Sequence, residues 1–271
     1  MPGVCSFLFE DLRMSDRNLL IETQDGVRMV TIDRPERKNA LTPAMYSALV
    51  EELQAYDQDD SVRALVVTGT GDSFTSGNDL ADFMNTPPAG EGSPVFQLLL
   101  TLLDLKKPIV AAVNGTAIGI GVTMLLQCDL VYAADTARFQ LPFVNLGLVP
   151  EGGSSQVLPR MMGHARAAEL LLLGEKFSAQ EAERLGLVTR VYPAAELLGE
   201  AQRKAAALAQ KPTASLRLAK ELMRGPQRAA LLETLEREAL VFVDRLTQPA
   251  AMEAFTAFFE KRPPDFRKVG E

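Results

Sequence analysis

Three short stretches of this chain combine residue types that could do chemistry. In LGLVPEGGSS (146–155), Glu151 stands between an apolar run ending in Pro150 and the flexible pair Gly152-Gly153. A helix is predicted to open just after it, at Ser154 or Ser155. As a helix-entry acid Glu151 would complement the helix dipole, worth about 0.3–1 kcal/mol. As a carboxylate in an apolar site it would be a general base. Apolar neighbours raise its pKa and a helix end lowers it, so local sequence leaves both roles and the net shift open. In FTSGNDL (74–80), Gly77 lets the backbone fold closely enough to direct the Asn78 amide into a pocket. In NGTAIGIGVT (114–123), Gly115, Gly119 and Gly121 precede a helix, whose first N–H groups would suit a developing oxyanion. Taken alone, each glycine loop also reads as a structural turn. Neither has the Gly-Lys-Ser/Thr of a phosphate-binding loop, and GTAIGIG lacks the dinucleotide-binding spacing.

The rest of the composition narrows the chemistry. The chain has 271 residues, 47% hydrophobic and 23% charged, with a net charge of −7. An acidic balance argues against a nucleic-acid or anionic-membrane binder. Cys5 and Cys128 are too few for a disulfide framework or a zinc site and fit a reducing compartment. His164 is the single histidine, which leaves little room for a Ser-His-Asp triad or a His-rich metal site. It reads as a helix-terminus residue, and Cys128 as a small core residue. Carboxylates and backbone groups must therefore carry the chemistry. Glu10, Asp11 and Asp16 break any signal or transit peptide, and Met14 could be an alternative start, making 1–13 an extension. The chain closes on Lys-Val-Gly-Glu rather than a peroxisomal Ser-Lys-Leu. The uncharged stretch 108–128 has the length of a membrane span, but its polar residues and glycines favour a buried strand–loop–helix unit. A cytoplasmic protein is expected.

These loops need elements to hold them. Strands are predicted at 27–32 (VRMVTI), 62–68, 109–113 and 130–134, with a shorter one at 187–191. Thr42-Pro43 starts a helix striped by Met45, Leu49 and Leu53, and another helix lies near 121–127. Such spacing argues for βαβ units in an α/β fold. Ser178 and Glu181 form a capping-box pattern. From 194 to 260 the chain reads as almost entirely helical, broken at Pro212 and Gly225-Pro226. A boundary near 200 separates the α/β core from this helical appendage, whose broad apolar face packs on the chain's own core or on a neighbouring subunit. No internal repeat of fixed period is visible.

In combination, DRPERKNAL (33–41), FTSGNDL, KKPIVAAVNGTAIGIG (106–121), CDLVYAADTARFQLPFVNLGLVPEGGSS (128–155) and FEKRPPDF (259–266) resemble the enoyl-CoA hydratase/isomerase (crotonase) superfamily, in order across most of the chain. The resemblance implies a crotonase-like spiral of ββα units over 1–200, a C-terminal helical trimerisation region over 201–271, and a homotrimer or a hexamer. It also implies acyl-CoA thioester substrates, with coenzyme A part of the substrate, no further cofactor and no metal. By motif position the oxyanion-hole N–H groups belong to Asn78 and Ile120. The two glutamates of family hydratases fall on Thr123 and Phe143, so both carboxylates are missing. Glu151 falls where the Δ3,Δ2-enoyl-CoA isomerases place their sole catalytic glutamate.

One carboxylate suffices for moving a double bond, taking a proton from C2 and returning it at C4, with Glu151 expected to rest deprotonated. Phe143 would wall out water. Substrate and CoA contacts are expected around Ser76, Gly77, Asp79, Leu80 and Gly119. Arg37 or Lys38 would meet phosphates, and Lys261 of a neighbouring subunit could join them, although each basic residue also reads as a solvated surface charge. Asp79 and Asp129 read as loop-stabilising carboxylates. Phe83, Met84 and PPAGEGSP (87–94), with the helix after it, are expected to line the acyl pocket. The alternatives are another crotonase activity, such as hydration, and a non-catalytic acyl-CoA-binding scaffold.

Overall fold

A computed structural model describes residues 12–15, 18–85 and 90–269. Cys5, the greater part of the possible 1–13 extension and residues 87–89 of the acyl-pocket stretch lie outside the described residues, as does the Phe83 side chain. The chain begins with strands β1 (Leu12–Ser15), β2 (Leu19–Gln24) and β3 (Val27–Ile32), which pair antiparallel in sequence. Met14 therefore sits within a paired strand.

Helix α1 (Pro43–Gln58) follows, with the Thr42 hydroxyl accepting from the Met45 N–H at 3.2 Å and Pro43 in the first turn. Its apolar stripe buries Met45, Tyr46, Leu49 and Leu53. Next come β4 (Ala64–Gly69), β5 (Ser73–Thr75), α2 (Leu80–Asn85), α3 (Pro94–Asp104), β6 (Ile109–Val113) and β7 (Thr116–Ile118). A single turn of helix, α4 (Ile120–Thr123), leads through a 3-10 turn to β8 (Leu130–Ala134) and β9 (Arg138–Gln140). The strand pairs β4/β5, β6/β7 and β8/β9 each give one strand to a seven-stranded sheet and one to a four-stranded sheet. This is the expected ββα spiral. Within the large sheet β3, β4, β6 and β8 run parallel, and β4 and β6 are apolar along nearly their whole length because both faces are covered. Successive turns stack closely. A side chain at Gly115 would lie 2.0 Å from the Asp72 carbonyl oxygen.

After the spiral come α5 (Ser154–Met162), α6 (His164–Ala168), β10 (Phe177–Ser178), α7 (Ala179–Arg184) and β11 (Arg190–Tyr192). The Ser178 hydroxyl accepts from the Glu181 N–H at 3.1 Å, as the capping pattern predicts. The last strand lies slightly later than its sequence pattern suggested, beside β8. Helix α8 (Ala194–Ala209) spans residue 200 and packs on β4, β6 and β8.

Helix α9 (Thr213–Leu246) corrects the expected break at Gly225-Pro226, since it runs through both residues. That part of the helix is exposed, so water can satisfy the carbonyl that proline leaves without a donor. Helix α10 (Pro249–Phe259) closes the fold. Among the described residues no helix is long and apolar enough to cross a membrane.

Candidate active site

The first glycine loop joins β5 to α2. Gly77 has φ +91°, and a Cβ there would lie 2.9 Å from the Ile118 carbonyl oxygen, so the residue type is dictated by geometry. The peptides on both sides are pinned. The Leu41 N–H donates to the Gly77 carbonyl at 2.8 Å, and the Asp79 N–H donates to the Leu41 carbonyl at 3.0 Å. Among the described residues the Asn78 N–H between them meets no acceptor. The second loop ends at Gly119, whose carbonyl accepts from Val122 and Thr123 at 2.8 and 3.0 Å. The Ile120 N–H is therefore the first of α4 and lies outside its hydrogen-bond ladder. Asn78 and Ile120 both line one open cavity of about 620 Å³.

A smaller inner cavity of about 50 Å³ shares Asn78 and Phe242 with the outer one and reaches Glu151. Its wall is apolar, built by Val95, Phe96 and Leu99 of α3 and by Leu235, Ala239 and Val243 of α9. The helix after the glycine-rich stretch thus lines the site as expected, whereas the contribution of α9 was not anticipated. Met84 is exposed and outside this lining.

Glu151 opens only partly to solvent, at the inner cavity, and protein packs around the rest of it. Burial pushes its carboxyl up to about 8, against the pull of the Thr123 hydroxyl, while the Glu238 carboxylate pushes it further up. Thr123 Oγ1 donates to Glu151 Oε1 at 2.5 Å. The apolar wall thus works against the charged form that was expected at rest, and the Thr123 hydroxyl works for it.

Two supporting residues escaped the sequence reading. Tyr46 on α1, itself buried, donates from its hydroxyl to Asn78 Oδ1 at 2.5 Å. Burial and the nearby Glu151 hold its phenol well above the usual range. Glu238 on α9 accepts from the Gly153 N–H at 2.6 Å, the Ser155 N–H at 3.0 Å and the Ser155 hydroxyl at 2.5 Å. The signal for both was spacing, since Tyr46 shares a stripe with Leu49 and Leu53, and Glu238 with Leu235 and Phe242.

The remaining predicted contacts divide. Ser76, Gly77, Asp79, Leu80, Gly119 and buried Phe143 line the outer cavity, as do Arg37 and Lys38 at its mouth. Lys38 also pairs with Asp72 at 2.6 Å. Asp79 accepts from Arg34 at 2.7 Å and from the Ala81 N–H at 3.1 Å. Burial raises its pKa, but these donors outweigh that and leave it below the usual range. It shapes the loop, as Asp129 does through Lys220 and the Ile109 N–H. Lys261 is exposed in the turn after α10 and outside the cavity lining, although Phe258 and Phe259 just before it line the mouth.

Comparison with known proteins agrees with this arrangement. The enoyl-CoA hydratase/isomerase family profile matches residues 22–269. Enoyl-CoA delta isomerase 2 of Rattus norvegicus is 38% identical over 91% of this chain, which spans 64% of that protein. The 2,3-dehydroadipyl-CoA hydratase of Escherichia coli is 36% identical over 92% of this chain and 98% of its own length. A crystal structure of an enoyl-CoA hydratase/isomerase from Pseudoalteromonas atlantica superposes with a TM-score of 0.88 at 42% identity, covering 92% of this chain and 99% of that one. A match that runs through both amide-presenting loops and the Glu151 turn, with such identity over nine-tenths of the chain, has one reading. The chain belongs to the enoyl-CoA hydratase/isomerase family and has the crotonase fold.

Proposed function

We propose that this enzyme is a Δ3,Δ2-enoyl-CoA isomerase acting on unsaturated fatty acyl chains. One observation carries the reading: among the described residues Glu151 is the one carboxylate on the inner cavity, and a threonine hydroxyl stands on it. By the family resemblance, hydratases carry their two acids at the positions held here by Thr123 and Phe143. Hydration needs one group to activate water and another to deliver a proton. Isomerisation needs one base that can reach two carbons.

In this reading the thioester oxygen sits on the Asn78 and Ile120 N–H groups. Glu151 removes a C2 proton as the enolate forms, and the two amides stabilise its negative charge, each worth about 3–4 kcal/mol in such a site. The same carboxyl then delivers the proton to C4, which leaves the double bond between C2 and C3. A base with a pKa near 8 suits both halves, because it gives up and takes a proton at comparable cost near neutral pH. Phe143 keeps water from the intermediate. The coenzyme A moiety enters with the substrate, and the reaction uses no other cofactor and no metal. Its adenine lies near Ser76 and Asn78, and its phosphates near Arg37 or Lys38, with Lys261 of a neighbouring copy. A trimer or a dimer of trimers would cover apolar side chains left exposed on α9 and α10, such as Leu222 and Phe258.

The test is a spectrophotometric comparison of 3-enoyl-CoA and 2-enoyl-CoA substrates with the parent enzyme and Glu151→Gln. The parent should isomerise the first faster than it hydrates the second. Glu151→Gln should lose at least about a hundredfold in isomerisation while retaining CoA binding. Preferred hydration, or unchanged turnover in the variant, would overturn the assignment.

A further inference from the structure

We propose that Glu238 is a positioning residue for Glu151, fixing the turn that carries the base to the helix that walls the acyl cavity. The inference rests on Glu151 being the proton-transfer group, and it concerns a residue that does not line either cavity.

The geometry is specific. Gly153 and Ser155 flank the first residue of α5, where helix N–H groups have no intrahelical acceptor. No side chain of α5 or its approach caps them locally, since the capping position is Gly153 in the left-handed region. A carboxylate from α9, more than eighty residues away in sequence, supplies the cap instead, with one oxygen on Gly153 and the other on both Ser155 donors. Glu238 is 6% exposed. On the same face of α9, Leu235 and Phe242 line the inner cavity into which Glu151 opens. One side chain thus ties the acyl wall to the turn of the base.

Charge reinforces the tie. Burial raises the pKa of both carboxyls, but three donors favour the charged form of Glu238 and one favours that of Glu151. The groups facing Glu151 from neighbouring elements are the Thr123 hydroxyl on α4, the Tyr46 phenol on α1 and Glu238 on α9. Arg237, the cation beside Glu238, offsets its charge only weakly from the next position on the helix.

The experiment compares the parent, Glu238→Gln and Ser155→Ala by pH–rate profile, with two readouts: isomerisation of a 3-enoyl-CoA, and deuterium exchange at C2 of a saturated acyl-CoA followed by NMR. Glu238→Gln should lower the high-pH plateau of both by ten- to a hundredfold, with KM changed less than about twofold. It should also move the midpoint to lower pH, because a like charge is gone. Ser155→Ala keeps both amide bonds and should move plateau and midpoint the same way by smaller factors; it decides the matter if Glu238→Gln does not fold. A purely structural role would lower stability without moving the midpoint. Folded variants with parental plateau and midpoint would overturn the proposal. Exchange without isomerisation in the parent would instead remove the isomerase reading and leave Glu238 testable by exchange alone.

Discussion

The hydrogen bond from Thr123 to Glu151 makes the sharpest prediction. At 2.5 Å it falls in the range of a hydroxyl donating to an ionised carboxylate. Such a bond favours the charged form by about 1.5–3 kcal/mol. Since about 1.4 kcal/mol corresponds to one pH unit, Thr123→Val should move the Glu151 midpoint from about 8 to about 9–10. Valine matches threonine in shape, and Thr123 is fully buried against Gly152, so packing is preserved while the donor is lost. At pH 7 the ionised fraction falls a further ten- to a hundredfold, and kcat/KM should fall with it. The loss should shrink as pH rises, because the base is intact and only harder to ionise. Thr123→Ser keeps a hydroxyl and should keep the parental midpoint. The assay is kcat/KM for a 3-enoyl-CoA between pH 6 and 10. A midpoint that stays put, or moves down in Thr123→Val, would mean that Glu151 donates to Thr123 rather than accepting from it, and the reasoning would fail.

Four further outcomes follow from named contacts. Glu151 binds its proton more tightly folded than unfolded, so the stability this gives is present below the unfolded pKa near 4.5 and is lost as pH rises through about 8. Glu151→Gln, which does not titrate, should therefore gain up to about 4 kcal/mol relative to the parent between pH 5 and pH 9 in denaturant melts. At Gly152, φ is +68° and a Cβ would lie 2.7 Å from Thr123 Cβ; Gly152→Ala should cost about 1–3 kcal/mol and lower turnover at least tenfold by displacing Glu151, read by thermal melts and initial rates. Phe143→Ala should raise the ratio of 2-enoyl-CoA hydration to isomerisation by admitting water, and an unchanged ratio in a folded variant would remove Phe143 as the barrier. Lys107 Nζ, fully buried, donates to the carbonyls of Tyr56, Asp59 and Val62 at 2.6–2.8 Å; Lys107→Met should destabilise by about 3–5 kcal/mol yet leave kcat of the folded fraction unchanged.

Strands β3, β4, β6 and β8 of the large sheet were legible because they obey a local rule, whereas β1 and β2 were not anticipated. VRMVTI and IVAAV are β-branched and apolar runs bounded by turn residues, and both form the strands expected. The small sheet was not, for a reason of length. Strands such as Ser73–Thr75 and Thr116–Ile118 have three residues each, too few to show an alternation. The repeat of the spiral was hidden as well. From β4 to β6 is 45 residues and from β6 to β8 only 21, because α2 and α3 are inserted in the first interval, so no fixed period exists to be found. The proline in α9 misled for a different reason, since the penalty for a lost hydrogen bond presumes a carbonyl hidden from water.

The acidity of Glu151 shows where local reasoning reaches its limit. Its sequence places two opposing influences on one carboxyl, an apolar run that raises the pKa and a helix start that lowers it. The fold assigns them to different residues. The N–H groups of Gly153 and Ser155 at the start of α5 are taken by Glu238, so the stabilising end of the helix is spent on a carboxylate that lines neither cavity. Glu151 is left with one hydroxyl and an apolar wall, and burial decides its pKa. Glu238 sits in LEREAL, among charges that read as a solvated helix face, and only its place on the stripe of Leu235 and Phe242 marks it as buried. On the proposed reading, the poise of the base depends on a second acid that intercepts the donors it would otherwise meet, an arrangement made by tertiary contact that leaves no local trace around residue 151.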